Sequence, residues 1–292
     1  MKLQKLISKL EKHHKKKLDL SLGRTFNLLK KLGNPQDKLK NVVTVVGTNA
    51  KASMCYSLKS ILNQCGYKTN LYTSPHLLSY TERYVFEDKE INEEDLIELL
   101  TDVEKTLGDD NATLFEILTC AFLKYAENFK DNINIIEAGL FHQFDSTNVF
   151  KENLMTLIGV IHNDHFQWLE NKSIEGVIYE KTAKLLNSNI FINKQVNNEI
   201  RDKIEKSLEY NASNKYFFGK DFNITKFENG FIQYQDQLGE LVLPEPSILG
   251  DHQLYNISTS IAASRKIFNI KDEYIKNGIK NISLKARLEE IK

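Results

Sequence analysis

Four short polar segments carry residue types that could bind a nucleotide and a metal ion. The first joins a β-branched run to a helical pattern and consists of Gly47, Thr48, Asn49, Ala50, Lys51, Ala52 and Ser53. Phosphates bind at such turns because backbone N–H groups and the helix N-terminus point towards the anion. Lys51 adds a cation for the β- and γ-phosphates, and the Ser53 hydroxyl can reach Mg²⁺. The segment has only one glycine, however, so a plain polar turn with a solvated lysine is an alternative.

The other three segments each follow an apolar run. Glu137 ends one run and precedes Gly139, where its carboxylate could be a hard oxygen ligand for Mg²⁺. His165 follows the next run and could complete a metal site, and Lys181 belongs to the helical pattern after it. Each residue has a simpler alternative: a solvated carboxylate, a hydrogen-bonded loop histidine and a surface lysine.

The elements that must position these segments alternate between strand and helix. We predict strands at Val42–Val46, 69–73, Ile133–Glu137, 156–161 and Asn189–Ile192, with helices at 53–65, 113–129 and up to about 186. This alternation predicts an α/β fold with a mainly parallel, doubly wound sheet, whose ligands lie at the carboxyl ends of the strands.

Two regions depart from this pattern. Aromatic-rich runs at 217–218, 222–227 and 231–234 alternate with glycines and predict a small antiparallel β appendage at about residues 216–243. Residues 255–268 are predicted to be helical again. The lysine-rich start follows apolar residues at helical spacing, which favours an amphipathic helix over a basic arm.

Composition narrows the class of protein. The chain has 292 residues, of which 41% are hydrophobic and 27% charged, and its formal net charge is zero. No overall positive electrostatic potential therefore attracts the chain to nucleic acid or to an anionic membrane. No apolar run approaches the roughly 20 residues that cross a bilayer. The three cysteines lack paired or metal-type spacing. We expect a cytoplasmic monomer that acts on small molecules and binds neither nucleic acid nor membrane.

Taken together and in order, the motifs resemble the folylpolyglutamate synthase/dihydrofolate synthase family of the Mur ligase superfamily. The family's GTNGKGS phosphate loop reads GTNAKAS at 47–53, and its SPHL segment and following ER pair stand at 74–77 and 82–83. Its E-x-GLGGRLDATN is matched at 137–148 and its LDHTxWLG at 163–170. Its REKAGI, HQ-x-x-N and GR-hydrophobic-E elements are matched at 179–184, 252–256 and 286–289.

The resemblance implies a fold of the Mur ligase central-domain type and a role for each matching residue. ATP would be held by the phosphate loop, including the catalytic Lys51, and by Asn256 and Arg287. Mg²⁺ ligands would be Ser53, Glu137, His165 and Lys181, the last also catalytic and carbamylated in the family. Contacts on the pterin side would come from Leu20, Ser21, Leu22, Thr113, Leu114, Phe115, Glu116, Phe144, Asp145 and Ser146.

The implied reaction is ATP-dependent amide formation. ATP would phosphorylate a pteroate or folate carboxylate, and the amine of L-glutamate would then attack the acyl phosphate. The resemblance does not choose between dihydropteroate and tetrahydrofolate as substrate. A catalytically impaired or inactive nucleotide-binding fragment is the alternative from another class, and an unrelated P-loop kinase would leave the SPHL and later motifs unexplained.

Three departures from the family pattern bear on activity. Alanines replace glycines at 50 and 52, and a required positive φ at either position would cost about 1–2 kcal/mol. Phe141, His142 and Gln143 replace the family's GGR, which removes a cation beside the substrate. Residues 1–292 are expected to form one ATP-binding domain, with the family's carboxyl-terminal domain absent.

Overall fold

The computed structural model describes residues 2–13, 21–227 and 230–284. The predicted sites at Leu20 and Arg287, and the whole motif at 286–289, lie outside the described residues. The described chain forms nine α-helices, which are α1 (Lys2–Leu10), α2 (Gly23–Lys31), α3 (Lys51–Gln64), α4 (Glu93–Leu107), α5 (Leu114–Ala126), α6 (Ile174–Thr182), α7 (Asn198–Ser207), α8 (Asp251–Phe268) and α9 (Asp272–Lys280). None of these helices is long and apolar enough to span a membrane.

Eleven strands in the described residues form two sheets. They are β1 (Val42–Val46), β2 (Thr69–Tyr72), β3 (Tyr84–Phe86), β4 (Lys89–Glu90), β5 (Ile133–Glu137), β6 (Met155–Ile158), β7 (Asn189–Ile192), β8 (Asn214–Phe217), β9 (Phe222–Lys226), β10 (Ile232–Asp236) and β11 (Gly239–Leu243). The large sheet has the order β4-β3-β2-β5-β1-β6-β7-β8. It is parallel from β2 to β8, and β3 and β4 join antiparallel at one edge.

Helices cover both faces of the large sheet. Successive strand residues point to opposite faces, and β1 places valine side chains on both. Val43 and Val45 of β1 pack into a core shared with α3, α8 and α9, and Val42 and Val46 pack on the opposite face. Continuous burial of all five β1 residues agrees with a strand covered on both sides. The predicted α/β class with a mainly parallel sheet and a small antiparallel sheet is therefore confirmed.

The appendage differs from its predicted extent. Strands β9, β10 and β11 form the antiparallel sheet, and its core side chains pack against α8. Residues 214–217, however, pair in parallel with β7 and extend the large sheet, so the prediction that 217–218 belong to a hairpin was wrong. The aromatic side chains there reflect packing, since Tyr216 stacks on Phe191 with ring centroids 4.8 Å apart.

Several predicted boundaries also shift. Helix α3 begins at Lys51, two residues before the predicted start, and α8 begins at Asp251, four residues early. Strand β6 ends at Ile158 instead of 161, because the next residue, Gly159, begins the loop beside the 47–50 turn. A Cβ atom on Gly159 would lie 2.3 Å from the carbonyl oxygen of Asn49, so only glycine permits this approach.

Candidate functional site

The 47–53 segment forms a tight turn between β1 and α3. The backbone N–H groups of Thr48 and Asn49 both donate to the carbonyl oxygen of Val160, at 2.8 and 3.1 Å. Gly47 has a φ of 149°, and a Cβ atom there would lie 3.0 Å from Gly159 Cα. The turn is therefore fastened to the end of the neighbouring strand, which directs the α3 N-terminus along the carboxyl edge of the sheet.

The two alanines of this turn differ in conformation. Ala50 precedes α3 with a φ of 74° and a ψ of −14°, which is the left-handed region. Ala52 lies within α3 and is not among the positive-φ residues. The predicted conflict between alanine and a positive φ therefore arises at position 50 and not at position 52, and its cost is about 1–2 kcal/mol.

Lys51 folds back over the turn. Its Nζ donates to the carbonyl oxygens of Gly47 at 3.1 Å and Thr48 at 3.3 Å, and it lies 4.0 Å from Glu137 Oε1. The side chain is only 13% exposed. A cation is thus held beside the strand-end carboxylate and next to the backbone N–H groups of the turn.

Glu137 and Ser53 share one cleft. Glu137 ends β5, which lies next to β1 with Val45 and Glu137 in register, and its Oε2 accepts a hydrogen bond from Ser74 N at 3.1 Å. The cleft has a volume of about 760 Å³ and includes residues of the turn, the 73–77 loop and the start of α8. A hydroxyl and a carboxylate are hard oxygen donors, and Mg²⁺ usually takes one or two carboxylates together with phosphate oxygens and water. These two side chains fit that ion.

Lys181 lies behind the turn and is almost fully buried. Its Nζ donates to the carbonyl oxygens of Gly47 at 3.0 Å and Leu140 at 2.7 Å, and it lies 5.4 Å from the centre of the Phe141 ring. Burial, together with a smaller contribution from repulsion by Lys51, lowers the pKa of Lys181 to about 7. The lysine therefore links α6 to both the phosphate-type turn and the loop after β5.

His165 has a separate environment. It adopts a left-handed φ of 57°, its Nε2 lies 3.2 Å from the Asp164 carboxylate, and its ring meets that of Phe141 edge-on at 6.3 Å. Partial burial lowers its pKa, which the Asp164 carboxylate partly offsets. His165 is not among the described residues that line the cleft. Nor do three or more His, Cys, Asp or Glu side chains gather into a metal-binding group in the described chain.

The four predicted metal ligands are therefore brought together only in part. Ser53 and Glu137 face the same cleft, Lys181 contacts the turn from behind, and His165 pairs with its neighbour Asp164. Their joint role in metal binding stays a prediction.

Asn256 of α8 lies at the other side of the cleft. It is buried, its Oδ1 accepts from Asn193 Nδ2 at 2.8 Å, and its Nδ2 donates to Gln253 Oε1 at 2.9 Å. Asn256 thus joins the turn in one cleft across 200 residues of sequence, as a nucleotide contact would require.

The predicted substrate residues gather around two buried carboxylates. Glu116 accepts from Arg24 Nη2 at 2.9 Å and from Thr113 N at 2.6 Å. Asp145 accepts from the N–H groups of Gly139 and Leu140 at 3.0 and 3.1 Å, and burial raises its pKa.

The remaining members of this set lie around these carboxylates. A Cβ atom on Gly139 would lie 2.7 Å from the Phe115 ring and 3.0 Å from Asp145 Oδ2. The predicted substrate residues of α5 and those of the loop after β5 therefore meet at Gly139. Ser146 Oγ donates to Thr119 at 3.0 Å, and Lys184 lies over the Phe144 ring at 4.6 Å. Leu114 begins α5, while Ser21 and Leu22 precede α2. Both Glu116 oxygens already accept from protein donors, so this carboxylate stabilises the start of α5 and its contact with Arg24.

Ser74 is the clearest site residue that sequence reasoning passed over. The resemblance of 74–77 to the SPHL motif implies no role for this serine. The structure places Ser74 N on the Glu137 carboxylate and puts 73–77 along the cleft beside Tyr56 and Lys59. The place of the motif in the sequence could have indicated this role. The motif follows β2, which lies next to β5, so its residues reach the carboxyl edge of the sheet beside Glu137.

Comparison with known proteins gives a consistent set of relatives. No protein-family model matches the chain. A dihydrofolate synthase/folylpolyglutamate synthase of Bacillus subtilis is 29% identical over 286 residues, which cover 92% of this chain and 65% of the relative. The chain thus spans about two thirds of the length of this curated relative.

Solved structures show the same likeness. Escherichia coli FolC in complex with DHPP and ADP superposes with a TM-score of 0.86 at 26% identity, covering 99% of this chain and 68% of that one. A bifunctional folylpolyglutamate synthase/dihydrofolate synthase from Yersinia pestis, complexed with AMPPNP and a manganese ion, has the same TM-score, identity and coverages.

Proposed function

We propose that this chain, which is similar to dihydrofolate synthase/folylpolyglutamate synthases, binds Mg·ATP in the cleft beside the 47–53 turn. We propose further that it serves an ATP-dependent ligase that joins L-glutamate to a pteroate or folate carboxylate. The observation that carries this proposal is the meeting of Lys51 and Glu137, whose Nζ and Oε1 lie 4.0 Å apart in a cleft that also contains Ser53.

The residues of the cleft would act mainly by position and charge. Backbone N–H groups at the start of α3 would bind phosphate oxygens, and Lys51 would stabilise the negative charge on the γ-phosphoryl group during transfer. Ser53 and Glu137 would hold Mg²⁺, which when bound neutralises charge on the β- and γ-phosphates. Asn256 would contact the nucleotide from α8.

The proposed reaction has two bond-making steps. A substrate carboxylate oxygen attacks the γ-phosphorus of ATP, and the bond to ADP breaks, which gives an acyl phosphate. The amine of glutamate then attacks the acyl carbon, loses a proton and expels phosphate, which leaves an amide. The substrate class follows from the relatives, whose ligands include DHPP. Dihydropteroate and tetrahydrofolate both remain candidates.

The organisation of the chain is part of the proposal. We treat residues 1–292 as one ATP-binding domain with the antiparallel sheet as its appendage, acting as a cytoplasmic monomer. The single domain is supported by the hydrophobic core, in which β9–β11 and α8 share one cluster with β1 and α3.

A specific observation also favours the second candidate, a nucleotide-binding chain with impaired catalysis. Ala50 adds a methyl group to a left-handed position in the turn that would receive phosphate. The loop after β5 carries Phe141, His142 and Gln143 where the family pattern has two glycines and an arginine, and Phe141 and His142 are buried. Binding of Mg·ATP is common to both candidates.

Isothermal titration of the 292-residue chain with Mg²⁺ and AMPPNP tests this binding. Wild type is expected to bind, and Lys51→Met is expected to lower the affinity about tenfold or more, since hydrogen bonds to charged groups contribute about 1.5–3 kcal/mol. Lys40→Met is the matched control, because Lys40 pairs with Asp131 at the exposed surface. A wild-type chain without measurable binding would overturn the proposal.

A further inference from the structure

The loop that follows β2 is held by a single buried carboxylate. Glu82 Oε2 accepts from Leu77 N at 2.8 Å, and its Oε1 accepts from Leu78 N at 3.0 Å and Ser79 N at 3.1 Å. Glu82 is only 9% exposed. Three consecutive N–H groups directed at one carboxylate fix the backbone of a segment that forms neither helix nor strand.

Arg83, the next residue, holds the same loop through side-chain contacts. Arg83 Nε donates to His76 Nδ1 at 2.9 Å, and the His76 and Tyr80 rings lie 4.1 Å apart. The backbone of Arg83 also accepts from Thr73 N at 3.3 Å. Residues 82 and 83 thus determine the path of 73–79 between two strands of the sheet.

The conformation of this loop matters because Ser74, near its start, contacts Glu137. Ser74 N donates to Glu137 Oε2 at 3.1 Å, and Glu137 is the carboxylate that the proposed function gives to Mg²⁺. A hydrogen bond to one oxygen orients the carboxylate, whose other oxygen lies 4.0 Å from Lys51 Nζ. The loop therefore acts on the proposed metal ligand through its backbone.

From these contacts we infer that Glu82 is a positioning residue for metal binding: it holds 74–79 so that Ser74 N orients Glu137. This inference rests on the proposed function. Glu82 lines the cleft but acts through the loop, and its two oxygens are engaged by the three backbone donors. Glu82→Gln replaces one acceptor oxygen with an NH₂ group, which would face an N–H donor instead of accepting from it.

The test compares nucleotide binding with and without the metal. Glu82→Gln in the full chain is expected to weaken Mg·AMPPNP binding about tenfold, as loss of an outer-shell partner of a metal ligand does. Its affinity for metal-free AMPPNP should match wild type, and amides 77–79 should exchange with deuterium faster. Glu87→Gln is the control, since Glu87 follows the adjacent strand β3 and pairs with Lys68 at the surface.

Glu82→Asp, which keeps two acceptor oxygens on a shorter side chain, should fall between wild type and Glu82→Gln. If Glu82→Gln does not fold, the same paired titrations of Glu82→Asp decide the question. Equal weakening of both nucleotide forms, or unchanged Mg²⁺ dependence despite faster exchange at 77–79, would overturn the positioning role alone. A wild-type chain that binds neither form would instead overturn the proposed function.

Discussion

Ala50 and Lys181 both occupy positions that cost free energy of folding. Ala50 has a left-handed φ of 74°, and Lys181 places an ammonium group where it is 1% exposed with two carbonyl oxygens as hydrogen-bond acceptors. Both residues contact or belong to the turn proposed to bind phosphate. Local strain and buried charge concentrate at functional sites, where the surrounding structure maintains them.

Exchanging each alanine of the turn for glycine should change stability in opposite directions. Ala50→Gly removes the steric conflict at a positive φ and is expected to raise the free energy of unfolding by about 1 kcal/mol. Ala52→Gly lies in the first turn of α3 and is expected to lower it by about 0.5–1 kcal/mol. Urea denaturation of the two variants measures both effects. Shifts of the same sign would contradict this account of position 50.

Burial of Lys181 should make stability depend on pH. Its pKa is about 7 in the fold and 10.5 ordinarily, so between these values the unfolded chain binds a proton that the folded chain lacks. Stability therefore rises with pH across this window, by up to about 1.4 kcal/mol per pH unit from this group.

The difference between wild type and Lys181→Met isolates this contribution, because other groups titrate equally in both. Denaturant titrations from pH 7 to 10 should show a steeper rise for wild type. Lys172→Met, which changes an exposed lysine, should follow the wild-type curve. Parallel curves for wild type and Lys181→Met would show that the ammonium group gains solvent or a counter-ion in solution.

At the scale of elements, the loops at the carboxyl edge of the sheet are held by buried carboxylates. Asp145 caps the turn after β5, Glu82 holds the loop after β2, and Glu116 joins α5 to α2 through Arg24. Each carboxylate accepts from backbone N–H groups that belong to no ladder. Irregular segments can be buried only if such groups find acceptors, so these side chains determine the shape of the site.

The Arg24–Glu116 ion pair should be important for stability. Its Nη2–Oε1 distance is 2.9 Å, and the side chains are 20% and 5% exposed. Arg24→Met leaves a buried carboxylate without this cation and is expected to cost about 3 kcal/mol. Lys124→Met, in a more exposed pair with Glu127, should cost less than about 1 kcal/mol. Thermal unfolding compares the two, and a similar small loss in both would contradict a structural role for the pair.

At the scale of the whole molecule, the cleft is assembled from distant parts of the chain. The turn at 47–53, the loop at 73–77, the end of β5 and the start of α8 meet at one edge of the sheet. The chain as a whole matches 65% of the length of its Bacillus subtilis relative. About a third of the relative lies outside the match.

We therefore predict that the 292-residue chain alone binds Mg·ATP but forms little amide. Positioning of reactants can supply about 7–11 kcal/mol of barrier reduction, more than the phosphate contacts of one cleft could replace. A coupled assay of ADP release with dihydropteroate or tetrahydrofolate and glutamate measures turnover, with the Bacillus relative as reference. A chimera that appends the unmatched part of that relative after Lys292 should turn over faster. Glutamate-dependent ADP release at the reference rate by the chain alone would contradict the prediction.

The sequence by itself determined five strands of the large sheet, β1, β2, β5, β6 and β7, and the turn at 47–53. Strands such as Val42–Val46 are continuous β-branched runs, and the glycines and polar residues that follow them mark where the chain leaves the sheet. Local composition is sufficient here because a strand buried on both faces must be apolar throughout. The same local signal was misleading at Phe217, since an aromatic edge strand and a hairpin strand have similar composition.

Only the tertiary structure decided which side chains meet and what each carboxylate does. Nothing in the sequence separates the carboxylates of Glu137, Glu116 and Asp145. In the structure Glu137 lies 4.0 Å from Lys51 in the cleft, Glu116 pairs with Arg24, and Asp145 holds the turn after β5. His165 and Lys181 follow neighbouring elements, but one pairs with Asp164 and the other lies buried under the turn. The reason is physical: sequence gives the position of a residue along an element, whereas its partner depends on how strands are ordered and how loops cross their ends.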